Sequence, residues 1–170
     1  MHRYFDVLVD TLVGVRLAAW RPRERVREQA KPKFYFFDPG VVRSLTGSLD
    51  ARVHDLEAGP LLEGYVFHEL RAATMYRNLG GELSYWRTQG QKEIDFVWQR
   101  GDVRLGFEVK ASTQFRPSDA RALIELVEAG TLTRGFVVYR GSEQLRHGAI
   151  DVLPAHEFFA RLYEDILPKR

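Results

Sequence analysis

Asp95, Glu108 and Lys110 are the residues of this sequence whose types and spacing could do chemistry together. Asp95 opens one apolar run and Glu108-x-Lys110 closes the next, with Arg100-Gly101-Asp102 between them as a turn. Side chains two apart on a strand leave the same face, so Glu108 and Lys110 are predicted to stand together. Val103, Leu105, Phe107, Val109 and Ala111 form the opposite stripe, an apolar face that meets the core. A hairpin at the turn brings Asp95 to within about 5 Å of Glu108, the spacing across an antiparallel ladder. Two carboxylates and an ammonium so arranged suit phosphodiester hydrolysis with magnesium, which takes one or two carboxylates and keeps several waters. The ion lowers the pKa of a bound water, and a neighbouring ammonium steadies the developing anion. The same alternation also describes an ordinary solvated strand face, so the surrounding elements must decide.

Those elements read as follows. Tyr4, Leu8 and Leu12 recur at helical spacing, then Val13, Val15, Leu17 and Ala19 alternate as a strand does. The stretch from Arg21 to Lys33, basic and broken by two prolines, is predicted to be an exposed connector. Lys33-Phe-Tyr-Phe-Phe37 is an aromatic strand, Asp38-Pro39-Gly40 ends it, and a short helix follows from Val41 to about Leu45. Residues 48 to 58 read as a polar link. The longest helix runs from about Pro60 to Leu79, with Pro60 in its first turn, Leu62, Val66, Ala73 and Tyr76 on its core-facing stripe, and Gly80-Gly81 as its stop. Leu83 to Arg87, Glu93 to Gln99 and Val103 to Ala111 are three strands of a meander. A helix over Pro117 to Ala129 crosses to a strand at Gly135 to Tyr139. A short strand at Ile150 to Leu153 and a helix from Pro154 through Phe158, Leu162 and Ile166 complete an α/β/α order.

Bulk properties bound the function. At 170 residues the chain suits one compact domain with a small appendage. A net charge of +2 with an isoelectric point near 9.0 allows a polyanionic partner without requiring one. The absence of cysteine removes disulfides, thiolate nucleophiles and cysteine zinc sites, and fits a reducing cytoplasm. No apolar run nears the ~20 residues that span a bilayer, so no membrane partner is expected. His68-Glu69 starts like a zinc protease motif, but Ala72 stands where the second histidine belongs.

Gly59-x-x-x-Glu63, Glu69-Leu70, Tyr85-Trp86-Arg87, Glu93-Ile-Asp95-Phe and Glu108-Val-Lys110-Ala-Ser112 together resemble the PD-(D/E)XK nuclease-like domain at the C-terminus of many prokaryotic AAA-type ATPases. Lys33-Phe-Tyr-Phe-Phe-Asp38-Pro-Gly40 fits the same pattern, so the resemblance covers nearly the whole chain. It implies a restriction-endonuclease-like core over residues 33–170, a mixed sheet flanked by helices, with residues 1–32 a remnant of a linking helical domain. It implies Mg2+ or Mn2+ held at Asp95, Glu108 and Val109, and Lys110 as the transition-state cation. The helix acid is Glu69 or Glu63: Glu69 shares the apolar stripe and is favoured as the inward one, while Glu63 has the Gly-x-x-x-Glu context of related resolvases. Arg87 and Lys92, with Ser112, are the candidates for contacting nucleic acid. No Gly-x-x-x-x-Gly-Lys-Ser/Thr occurs, so an ATPase would have to be a partner in cis or in trans. The implied activity is metal-dependent cleavage of DNA or structured nucleic acid. Its rivals are a non-catalytic docking or regulatory module and a nucleic-acid-binding module without turnover.

Overall fold

The computed structural model describes residues 2–21, 31–90 and 92–168. Most of the predicted basic connector, residues 22–30, lies outside them. Helix α1 (His2–Asp10) leads into β1 (Gly14–Leu17), which pairs antiparallel with β2 (Lys33–Phe36) in a small ribbon, Leu17 opposite Lys33. The ribbon is tied to the rest of the chain by backbone: the Trp20 N–H donates to the Tyr85 carbonyl, and the Tyr85 N–H donates to the Ala18 carbonyl. Helix α2 (Pro39–Leu45) begins where its sequence signals put it, because the Asp38 carboxylate accepts the Gly40 N–H at 2.6 Å and Pro39 needs no partner in the first turn.

The long helix α3 (Asp55–Tyr76) starts before the predicted Pro60, which lies inside it. Asp55 and Glu57 favour that earlier start by placing negative charge at the positive end of the helix. Its buried stripe is also rotated from the predicted one: Val66, Phe67, Leu70 and Ala73 are buried, whereas Tyr76 is 84 % exposed. Residues three, four and seven apart share a helix face; Phe67 and Leu70 turn the centre of the stripe toward Glu63, which precedes Val66, Phe67 and Leu70 by three, four and seven, and leave Glu69 at its edge.

The large sheet has the order β3-β4-β5-β6-β8-β7. Strands β3 (Glu82–Arg87), β4 (Glu93–Arg100) and β5 (Val103–Lys110) form the expected antiparallel meander. A 3-10 turn (Pro117–Ala120) and α4 (Arg121–Glu128) then cross over, so β6 (Arg134–Tyr139) lies parallel to β5, as a helical crossover requires. Strand β7 (Leu145–His147), a short edge strand absent from the sequence reading, runs antiparallel to β8 (Ile150–Pro154), which itself lies parallel to β6. Leu-Arg-His offers no apolar alternation, and its ladder with β8 makes it a strand. Helix α5 (Ala155–Arg161) ends sooner than predicted and passes into a π turn over Leu162–Ile166.

Each face of the sheet has its own core. Phe96, Trp98, Phe107, Val109, Phe136 and Val138 pack with residues of α3 and α5 on one side. Val97, Val137, Ile150 and Val152 pack with Leu123 of α4 on the other. The second packing depends on two glycines that lie opposite one another, Gly106 of β5 and Gly135 of β6. A Cβ on Gly106 would stand 2.7 Å from both Leu123 and Leu132, so the missing side chain is what lets α4 seat against the sheet.

Candidate functional site

The residue that organises the site is Asp95, and a break in strand alternation aims it. Between Ser84↔Val97 and Trp86↔Ile94 the β3–β4 register shifts, with two residues of β4, Asp95 and Phe96, facing the single Tyr85 of β3. Such a bulge bends a strand and redirects side chains. Its effect is visible in the packing: Ile94 belongs to the α4-side core and Phe96, two residues on, to the α3-side core. Asp95 is thereby placed where α3, β2, β4 and β5 meet.

Asp95 reaches both ways. Its Oδ2 accepts the Val109 N–H at 2.8 Å, just past Phe96↔Phe107, where the β4–β5 ladder pairing stops. Its Oδ1 lies 3.5 Å from the Lys33 ammonium. Lys33 also stands 2.5 Å from Glu93 and 3.1 Å from Glu63. The Tyr35 hydroxyl, two residues along β2 and so on the same side, donates to the same Glu63 oxygen at 2.5 Å. Tyr35 is fixed in turn by stacking on Phe67, their ring centroids 4.2 Å apart. On the α4 side, Lys110 pairs with Glu108 at 2.6 Å. The other Glu108 oxygen, Oε2, is buried with no hydrogen-bond partner. Lys92, Glu93, Glu108 and Lys110 border a cavity of about 210 Å³ that Ser118, Asp119 and Arg121 line from the helix side.

Burial and like charge act together on the two central acids. Loss of solvent, reinforced by Glu63 and only partly offset by Lys33, raises the Asp95 carboxyl to about 6. Loss of solvent and the neighbouring Asp95 raise Glu108 to about 8, against the pull of Lys110. For Lys33, burial works against the charge, but Asp95, Glu63 and Glu93 outweigh it and its pKa is raised. Lys110 shows the same balance, burial opposing and Glu108 prevailing. Burial and Glu63 hold the Tyr35 hydroxyl protonated.

The predicted residues are thus distributed unequally. Asp95, Glu108, Lys110 and the Val109 backbone come together, and Glu63 joins them through Lys33. Glu69, the favoured helix acid, stands apart: its carboxylate accepts a hydrogen bond from Tyr163 at 2.9 Å. The cause is the rotation of the buried stripe of α3. Arg87 lies 3.5 Å from Glu93 and is about half exposed, whereas Lys92 pairs with Glu125 across the surface. The Ser112 hydroxyl is spent in a local turn with the Gln114 backbone. Lys33, Tyr35 and Glu93 were missed as site residues. Their signal was the i, i+2 pairing of Lys33 with Tyr35 and of Glu93 with Asp95, each pair on a run already read as a strand.

Glu108, buried with one oxygen that lacks a partner, and the half-buried Asp95 are oxygen ligands of the kind a hard divalent cation takes, whereas Val109 meets Asp95 through its N–H, which cannot ligate a cation. Among the described residues no three acids or histidines are gathered closely enough to hold an ion by themselves.

Residues 58–158, from the start of α3 into α5, match the family model described as Domain of unknown function (DUF4143). The chain belongs to the DUF4143 family. Two uncharacterized mycobacterial proteins, Mb2031c of Mycobacterium bovis and Rv2008c of Mycobacterium tuberculosis, are each 34 % identical to it over 146 residues. That alignment covers 84 % of this chain and 31 % of each relative, so the chain spans about a third of their length. The DUF4143 match includes Glu63, Glu93, Asp95, Glu108 and Lys110, whereas Lys33 and Tyr35 precede it. Among the described residues no helix is long and apolar enough to cross a membrane.

Proposed function

We propose that this DUF4143 chain is a restriction-endonuclease-like domain of the PD-(D/E)XK kind that hydrolyses phosphodiesters of DNA or structured nucleic acid with Mg2+ or Mn2+. One observation carries the reading: Asp95 and Glu108, from adjacent strands, stand beside Lys110, Asp95 half-buried and Glu108 buried, and Glu108 keeps one oxygen without a partner. A buried carboxylate oxygen with no donor is costly, and a cation is the natural occupant of such a position. Asp95 and Glu108 would hold the ion, which when bound would lower the pKa of a water and neutralise charge on the phosphoryl oxygens. The Val109 N–H keeps Asp95 oriented. Lys110, held against Glu108, presents its ammonium where negative charge develops. Glu63 acts at one remove, by fixing Lys33 and Tyr35. An AAA-type ATPase domain, in cis or in trans, is the proposed partner.

A second reading, a nuclease-like module that docks a partner or binds nucleic acid without turnover, draws on Lys33 and Lys110, which already give each of the four acids a charge partner. Incubation with plasmid and single-stranded DNA in Mg2+, Mn2+ or EDTA separates the two. The nuclease reading expects metal-dependent nicking, reduced by about 10²–10³-fold in Lys110→Ala, the size of effect for losing one stabilising group at a developing anion. No cleavage with any metal, together with no metal binding by calorimetry, would overturn it. A salt-sensitive gel shift without cleavage would favour the binding module.

A further inference from the structure

We infer that Arg121, the first residue of α4, grips a backbone phosphate of the nucleic-acid strand beside the Glu108–Lys110 pair. The inference rests on the nucleic-acid reading of this site and adds to it the residue that holds the strand.

Around the 210 Å³ cavity the other charged side chains are engaged. Lys92 stands 2.5 Å from Glu125, and Lys110 stands 2.6 Å from Glu108. Glu93 is held by Lys33 at 2.5 Å and by Arg87 at 3.5 Å, and the Asp119 carboxylate accepts the Arg116 N–H at 3.0 Å. Arg87 and Lys92, the nucleic-acid contacts expected from sequence, are therefore already matched to acids. Arg121 is exposed and, among the described residues, makes neither an ion pair nor a side-chain hydrogen bond. One acidic oxygen is equally unmatched: Oε2 of Glu108, a residue only 9 % exposed. The guanidinium and this carboxylate oxygen border one cavity without closing on each other.

A phosphodiester carried by a divalent ion answers both groups at once, the cation meeting Glu108 and the phosphoryl oxygens meeting Arg121. The planar guanidinium suits the second contact because its parallel N–H groups match two phosphate oxygens. Space for a strand continues past Arg121. Ser118 and Arg121 also line a second cavity of about 250 Å³, bordered by Pro117, Ile124 and Glu125, and Glu125 is the acid already paired with Lys92. Arg121 thus stands between two spaces, as a phosphate stands between successive nucleotides, with the Ser118 hydroxyl lining both and Pro117 and Ile124 offering apolar surface to a sugar. Such a contact positions the strand and reads no base.

Fluorescence anisotropy of a labelled single-stranded DNA bound to the full chain over a salt series, in EDTA and in Ca2+, tests this. Each phosphate contact on a single strand contributes about 0.7 to the slope of log affinity against log salt. Arg121→Ala is expected to weaken binding and make the slope shallower by about 0.7, equally for unrelated DNA sequences. Arg121→Lys, which keeps the charge, and Arg52→Ala, which removes an exposed arginine from the link before α3, should keep the wild-type slope. Arg121→Gln gives the same readout should a circular dichroism melt show the alanine variant to be unstable. An unchanged slope in Arg121→Ala, an equal change in Arg52→Ala, or no DNA binding by wild type in either condition overturns the inference. Metal-dependent nicking by wild type with an unchanged Arg121→Ala slope would sink it while leaving the nuclease reading in place. An Arg121-dependent slope without nicking in any metal would support it while overturning hydrolysis.

Discussion

Asp95 and Glu108 are carboxyls whose surroundings favour the protonated form, and that has a direct thermodynamic reading. Their folded-state values, about 6 and about 8, lie above those of the same groups in an unfolded chain. Between the ordinary carboxylate range and the raised values the folded protein therefore binds more protons than the unfolded one, and stability falls as pH rises through that window. In EDTA the melting temperature is expected to decline from about pH 5 to about pH 8.5, with Glu108→Gln flattening most of the decline. A melting temperature that rises over the same range would contradict the burial argument. At this scale the sequence was informative where a partner lay close by. Glu108 and Lys110 are two apart on one strand, and Asp95 is one hairpin away. Lys33 meets Glu93 and Asp95 across about sixty residues, and only the packing of the β1–β2 ribbon against α3 brings them together.

Among the elements, α4 and β5 show how a small residue sets a helix position. Gly106→Ala would press a methyl into Leu123 and Leu132 and is expected to cost about 1–3 kcal/mol. Gly64→Ala on α3, where an added Cβ meets nothing within 4 Å, is the contrasting control and should stabilise by about 0.5–1 kcal/mol through helix propensity. Urea unfolding of both variants checks the pair, and a harmless Gly106→Ala would mean that α4 does not rest on the glycine notch. Elements with strong periodicity, β4, β5 and α4, were legible from sequence. The face of α3 was not, because Leu62, Val66, Ala73 and Tyr76 are compatible with one stripe and Glu63, Phe67 and Leu70 with another. The aromatic weight of Phe67 against Tyr35 and Phe96 decides for the second. That choice places Glu63 beside Lys33 and Tyr35 and leaves Glu69 beside Tyr163.

Across the whole molecule, the mixed sheet with a core on each face follows from the alternation of strands and helices, which is why the α/β class could be read in advance. The position of the site could not, since it lies at the junction of the β1–β2 ribbon, α3 and the β4–β5 hairpin. The bulge in β4 has a consequence for how the protein could be edited. Ile94 and Phe96 belong on opposite faces, which is where neighbouring residues of an unbroken strand would fall. Deleting Asp95 should therefore leave a plain strand with every apolar side chain on its proper side. The deletion is expected to melt near the wild-type temperature while binding no Mn2+, and collapse of the fold would show the bulge to be structural. In coding terms, a single codon supplies the carboxylate that links Lys33 of the ribbon to the Val109 N–H of β5.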